Sequence, residues 1–385
     1  MSVTTVKGWK LGHRTIGTAE EMGCDTDGGK WVVICEKHDT LINVDTLEIA
    51  WTVATFEFCE RLRSERNRNM TNTMAWDQLG ATLTESLDAG QAMKEGKLAG
   101  WNVRKVPLVA QVGKKQIPVP GRFATVRNNP IKRSQIDILG DVGANYNIIQ
   151  NENHEALLNA LVDESGATLD YAGDLGTDGR QVFIVMKLPG HINVGGSDPV
   201  ENYLAAINSH DGSMSFTLMV TPVRFDCKNV LNCAFQNASH MFRVRHTSGA
   251  EAALHRQARE ALDFTFNYLD VFQKDAERLI QTTMTQAQFE SIMVREFGAP
   301  EDSSSAATTR ADKKIDELSS LFADSFTQEG IRGTAWAGFN ALTEWADHRS
   351  PTRGAEEMRD SNRAQKAILD PSFKNRALQL MMSAT

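Results

Sequence analysis

The sequence predicts an α+β fold: an antiparallel β-sheet packed by helices, with a small N-terminal module before it and a helical C-terminal part after it. Three observations carry this expectation. Residues 180–188 and 214–220 are strand-like segments behind Asp-Gly turn signals, residues 249–283 repeat apolar side chains at helical spacing, and residues 311–385 read as helix throughout.

Residues 1–60 hold ten acids against five bases and three of the five cysteines, so residues 1–70 are read as a separate module. Short strands are expected at Lys30–Val33 and Leu41–Val44, and a helix at Asp45–Arg63 with an Arg-rich end. Cys24, Cys35, His38 and Cys59 follow the spacing Cys-x10-Cys-x2-His-x20-Cys. One close pair is present where a strong zinc signature has two, so the alternatives are a structural zinc and buried structural thiols. A polar linker, Asn67–Thr73, follows.

An α+β core domain is expected over residues 74–300. Thr82–Lys97 reads as a helix, and Trp101–Val126 as short strands broken by Pro107, Pro118 and Pro120. Arg180–Leu188 alternates Val182, Ile184, Met186 and Leu188 with Phe183, Val185 and Lys187, a strand with one apolar face. The glycine-rich Leu188–Gly196 reads as a loop. After the strand Met214–Val220 a helix is expected beyond Pro222, capped by Asp226, because Cys227, Val230, Leu231, Ala234 and Phe235 fall on one face. Ser303–Thr309 reads as a flexible linker into the helical region 311–385, where Trp336, Phe339 and Trp345 are expected core residues.

The chain is acidic, with formal net charge −8, yet Trp101–Gln135 carries eight bases and no acid. These are Arg104, Lys105, Lys114, Lys115, Arg122, Arg127, Lys132 and Arg133. Such segregation creates a local positive field of the kind phosphate backbones require. A second basic group contains Arg224, Lys228, Arg243 and Arg245, interleaved with Phe225 and Phe242, the mixture of cations and rings that single strands use. Single-stranded nucleic acid is therefore the expected partner.

Catalytic signals are wanting. Gly90–Leu98 differs from a phosphate loop in its spacing and places Leu98 where Ser or Thr must hold magnesium. Glu344, Asp347 and His348 have helical spacing suited to a cation, but read as a solvated or capping face. No enzyme and no cofactor beyond the N-terminal zinc are expected. With no signal peptide or transmembrane run in the sequence, the expected setting is the cytoplasm, without a membrane partner.

Several strings together resemble the phage/plasmid-like family called domain of unknown function 932. They are Leu139–Tyr146, Gln150–Asn153, Val182–Pro189, Ser209–Ser213, Thr221–Asn229, Arg245–Thr247 and Thr334–His348, covering about residues 74–350. The family name implies no activity. Its strand–strand–helix core resembles that of Rad-type single-strand annealing proteins, which form homo-oligomeric rings or filaments on single-stranded DNA without a cofactor. That analogy implies strand annealing in recombination or replication, with phosphate-gripping cations and no catalytic acids. The competing expectation is a non-nucleic-acid interaction protein, a host-takeover or anti-defence factor.

Overall fold

The structure is a computed structural model. It describes residues 74–83, 88–132, 134–176, 178–224, 228–232, 240–247 and 258–384, and the backbone of five strands within residues 10–44. Contacts divide the chain into two compact units, Met1–Met70 and Thr71–Thr385.

In the first unit β1 (Lys10–Leu11) pairs with β2 (Arg14–Thr15). The strands β3 (Gly23–Asp27), β4 (Lys30–Cys35) and β5 (Thr40–Val44) form an antiparallel meander. Cys24 lies in β3 and Cys35 in β4, but the side chains of all four expected zinc ligands lie outside the described residues, as does the helix expected at Asp45–Arg63.

The second unit is built on a six-stranded antiparallel sheet in the order β14–β13–β12–β11–β10–β6. Its members are β6 (Gly80–Thr82), β10 (Thr168–Asp174), β11 (Gln181–Val194), β12 (Asp198–Ser209), β13 (Phe216–Arg224) and β14 (Met241–Val244). Both faces of this sheet are covered, so β11 is buried on both sides from Val182 to Met186 rather than on one. Val182, Ile184, Met186 and Leu188 face the larger core, with Leu204 and Val220 beside them. Phe183, Val185, Tyr203 and Met219 face a smaller one, with Trp76 and Ile368.

The helices are α1 (Ala89–Glu95), α2 (Glu155–Ser165), α3 (Ala258–Gln281), α4 (Gln286–Phe297), α5 (Ser305–Asp324), α6 (Ala335–Glu344), α7 (Arg359–Leu369) and α8 (Ser372–Ser383). Their ends follow local chemistry. Asp88 and Gln91 form a capping box on α1, Thr285 and Gln288 another on α4, and Gly166 at φ +71° stops α2. Trp336 and Phe339 are fully buried and Trp345 nearly so, as expected.

Several sequence expectations are corrected. The segment 82–97 is not one helix, because Thr82 ends a strand and α1 starts at Ala89. The prolines at 107, 118 and 120 do not end the strands, since β7 (Arg104–Val112) and β8 (Lys115–Asn128) run through them in a hairpin, but they do break its ladder, whose register shifts between Pro107–Phe123 and Val109–Pro118. Leu188–Gly196 is mostly strand, since β11 continues to Val194. Ser303–Thr309 is no linker, because Ser304 caps α5 and the serines and threonines after it form the first turns.

The helix expected beyond Pro222 is also absent from the described part of that segment. Pro222 and Val223 still belong to β13, Lys228 takes φ +52°, and Val230 bridges back to Val223. Asp226, Cys227, Ala234 and Phe235 lie outside the described residues. The expected strand–strand–helix core therefore loses its helix over residues 228–232. Of the long helix expected at 249–283, Ala258–Gln281 is described as α3.

Candidate nucleic-acid interface

A second, three-stranded sheet carries most of the basic stretch. Strand β8 pairs with β7 on one side and with β9 (Ile136–Gly143) on the other. The outer half of the β7–β8 hairpin is exposed on both faces. Val112 and Lys115 close it across Gly113–Lys114, and Gly113 at φ +59° supplies the conformation that such a two-residue turn demands. Lys114 and Lys115 stand exposed at the tip, with exposed Val109, Val112 and Ile117 beside them. Four register pairs, from Val109–Pro118 to Val112–Lys115, make up this exposed end, a reach of roughly 13 Å.

The remaining cations divide by environment. Lys132 is exposed in the β8–β9 connection, Arg133 lies outside the described residues, and Arg243 and Arg245 are exposed at and just after the edge strand β14. Arg104 donates to the Asn102 carbonyl and to Asn128 Oδ1, both at 3.1 Å. Lys105 Nζ donates to the carbonyls of Ala144 and Tyr146 at 2.9 and 2.8 Å, pinning the arm at its base.

Four of the expected cations are claimed by carboxylates. Arg122 pairs with Asp141 at the surface. Arg127 is 6% exposed, donates to Asp137 Oδ2 at 3.0 Å, and lies 3.9 Å from the centre of the Trp101 ring. Lys228 approaches Glu201 Oε2 at 3.7 Å. Burial opposes the Glu201 charge, but the hydrogen bond from Lys187 and the charge of Lys228 outweigh it and hold this carboxyl below its usual range. Arg224 is fully buried, and its Nε lies 2.8 and 2.9 Å from the two oxygens of Asp198. Arg127 and Arg224 are therefore internal structural cations, a correction to their expected place at the surface, and Lys228 is half-buried beside Glu201. The sequence does carry a signal for the first two of these four pairings: Asp137 and Asp141 begin just past the acid-free run, on the strand that folds back against it.

The strings that carry the family resemblance meet in two buried places. At the base of the arm Tyr146 stacks on His246 with ring centres 4.8 Å apart, and its hydroxyl donates to the Ser209 carbonyl at 2.7 Å. Gly140 lies so close to Asp211 that a Cβ there would come within 2.6 Å of the aspartate's own Cβ. His154 Nδ1 donates to the Asn151 carbonyl and His246 Nδ1 to that of Asn147, both at 3.1 Å. His210 Nε2 donates to Asn151 Oδ1 at 2.9 Å, whose amide is turned that way by its own bond to the Leu98 carbonyl. These bonds select which nitrogen carries the proton in each neutral ring. Burial, reinforced by the neighbouring cationic forms, pushes His154 and His210 down to about 3. Nearby, burial raises Asp174 to about 6 despite Arg127.

The second meeting place joins sheet to C-terminal helices. Asp198 also accepts from Trp336 Nε1 at 2.6 Å, and Arg224 Nη1 donates to the Thr327 carbonyl. Asn229 Nδ2 donates to the Asn340 carbonyl and Thr343 Oγ1, while the Val230 amide donates to Asp347 Oδ2 at 2.9 Å. Lys374, 1% exposed, reaches Asp347 at 2.8 Å and donates to the carbonyls of Val230 and Ala367. Glu344, Asp347 and His348 do not form the solvated face that their spacing suggests: all three are buried, and the first two belong to this network. Sequence reasoning misses it because the bonds that join sheet to helices link residues over a hundred positions apart.

Among the described residues no group of three or more His, Cys, Asp or Glu is arranged to hold a metal ion. None of the described helices is long and apolar enough to cross a membrane. No curated protein and no solved structure matches the chain. The family model described as domain of unknown function (DUF932) matches residues 138–368, a span holding most of both buried meeting places, though not Leu98 or Lys374, and not the β7–β8 arm. The chain belongs to the domain of unknown function 932 family.

Proposed function

We propose that this protein binds single-stranded DNA along the β7–β8 arm and, as a homo-oligomer, brings complementary strands together without chemistry of its own. The observation that carries this reading is the pair Lys114 and Lys115 at the exposed tip of a hairpin, within a run from Trp101 to Gln135 that holds no acid. Neutralising two backbones locally, on a chain that is negative overall, favours base pairing between them. Val112 and Ile117 offer bases an apolar bed beside the phosphate-binding lysines. The two-part groove suggested by the sequence contracts to the arm, with Lys132 and, at the sheet edge, Arg243 and Arg245 as additional cations. The phage setting and the annealing analogy belong to this proposal alone.

Binding of labelled single-stranded DNA, titrated with salt, tests the reading. Lys114→Glu with Lys115→Glu is expected to abolish binding and leave folding intact. Absence of wild-type binding at about 50 mM salt, where phosphate interactions are least screened, overturns it.

One observation favours a second reading. Val109, Val112 and Ile117 on the arm, with Ile136 and Ile138 on β9, are exposed apolar side chains on strands at or near a sheet edge. They suit a protein partner, and the charge-reversed protein keeps that partner while losing DNA only if the two functions are separate.

A further inference from the structure

Lys314, midway along α5, points its ammonium into a cluster of rings drawn from three other parts of the fold. Its Nζ lies 3.6 Å from the ring centre of Phe297 at the end of α4, 4.4 Å from Trp345, and 4.8 Å from Phe373 at the start of α8. The rings hold one another: Phe373 is 5.9 Å from Phe297 and 5.5 Å from Trp345, centre to centre. Trp345 is fixed further by its indole N–H, which donates to Glu317 Oε2 at 2.9 Å. Arg376 and Lys366 add positive charge around Lys314, Glu296 opposes them, and Arg376 is itself paired with Glu296.

This environment attracts a primary ammonium without meeting its hydrogen bonds. Three N–H donors want oxygen acceptors, and aromatic faces offer only diffuse negative charge. An alkylated ammonium has no such need. Its charge is spread over methyl groups, its hydration is weaker, and ring faces satisfy it fully.

We propose that Phe297, Trp345 and Phe373 form a binding site for an alkylated ammonium group, occupied in the resting protein by Lys314 as a tethered substitute. The site stands apart from the DNA-binding arm and does not depend on that reading. Ligand and Lys314 compete for one place, so removing the lysine side chain opens the cage.

The test uses the full chain and tetramethylammonium chloride as probe, with sodium chloride at equal ionic strength as the reference. Binding is followed by calorimetry and by thermal unfolding. Lys314→Ala is expected to bind tetramethylammonium saturably and at least about tenfold more tightly than wild type. Lys314→Met, whose uncharged chain still fills the cage, is expected not to bind, and adding Trp345→Ala to Lys314→Ala is expected to remove the gain. A peptide bearing trimethyllysine separates the sources: tighter binding than the free ion assigns the ligand to a partner's side chain, and equal binding to a free small ammonium. If folded Lys314→Ala binds neither probe, or binds neutral tert-butanol equally well, the cage is only apolar packing around a lysine stem and the proposal fails. Should Lys314→Ala fail to fold, Lys314→Ser serves the same comparison.

Discussion

Acidification from pH 7 to pH 5 is the sharpest perturbation the interior offers. His154 and His210 are buried, neutral, and depressed to about 3, whereas a histidine in the unfolded chain titrates near 6.5. The folded state therefore refuses protons that the unfolded state accepts. Stability from these groups is complete above the unfolded value and is lost as pH falls from about 6.5 toward 3. At pH 5 the solution is about 1.5 pH units below the unfolded value and still above the folded one, which is about 2 kcal/mol for each ring, or about 4 kcal/mol for the two. A domain stable by about 5–15 kcal/mol loses a large share of that margin. Asp174, raised to about 6, has the opposite sign and returns about 1 kcal/mol over the same interval. Glu344 and Asp347, also raised by burial, act in the same direction as Asp174. The measurement is consequently a difference: urea unfolding at pH 7 and pH 5 for wild type and for His154→Asn, whose amide can replace Nδ1–H. The variant is expected to be less stable at pH 7, with its loss on acidification smaller by about 2 kcal/mol. Equal losses in the two proteins would mean that His154 takes up its proton without penalty in the folded state, and the linkage between its burial and acid stability would be void.

Asp198→Ala leaves the buried Arg224 guanidinium and the Trp336 N–H without their shared acceptor, and a loss of about 3–5 kcal/mol is expected in denaturant unfolding. Replacing the pair together, Asp198→Leu with Arg224→Met, is expected to cost less than the two single changes added, since no charge is then stranded. Gly179→Ala would place a methyl 2.0 Å from Arg127 Nη1 at a backbone φ of +75°, whereas Gly190→Ala, at φ +78°, meets open space. Both force alanine into the left-handed region, at about 1–2 kcal/mol, but only the first should also displace Arg127, and thermal unfolding should rank it clearly lower. For Lys114→Glu and Lys115→Glu separately, the dependence of log affinity on log salt should shallow by about 0.7 for each single-strand phosphate that is no longer neutralised; an unchanged slope would remove the tip from the interface.

How far this fold could be read from its sequence depended on how local the determining partner was. The strands around Val182–Leu188 and Phe216–Val220 were legible because alternation and Asp-Gly turns are written within a few residues, and α3 because its apolar spacing is regular. The segment after Pro222 misled for the opposite reason. Its apolar spacing fits a helix, yet Asn229 and Val230 are held by Asn340, Thr343 and Asp347, which no local pattern announces. The serines before α5 resembled a linker because a cap and a flexible stretch share composition, and only the following helix tells them apart. Charge behaved similarly. Lys114 and Lys115 emerged exposed because a turn places them there, while Arg127 and Arg224 turned inward to acids on neighbouring strands.

The bonds from Lys374 to Val230 and from Trp336 to Asp198 also set an order of events during synthesis. Asp198 and Arg224 leave the ribosome long before the tryptophan 138 positions beyond the aspartate, and Val230 before the lysine 144 positions later. Until those residues emerge, the Asp198–Arg224 pair lacks the Trp336 N–H and the Thr327 carbonyl that complete its hydrogen bonding. The sheet should remain loosely assembled until α8 is free to dock, so a chain truncated before Ser372 should be protease-sensitive, whereas the full chain should not.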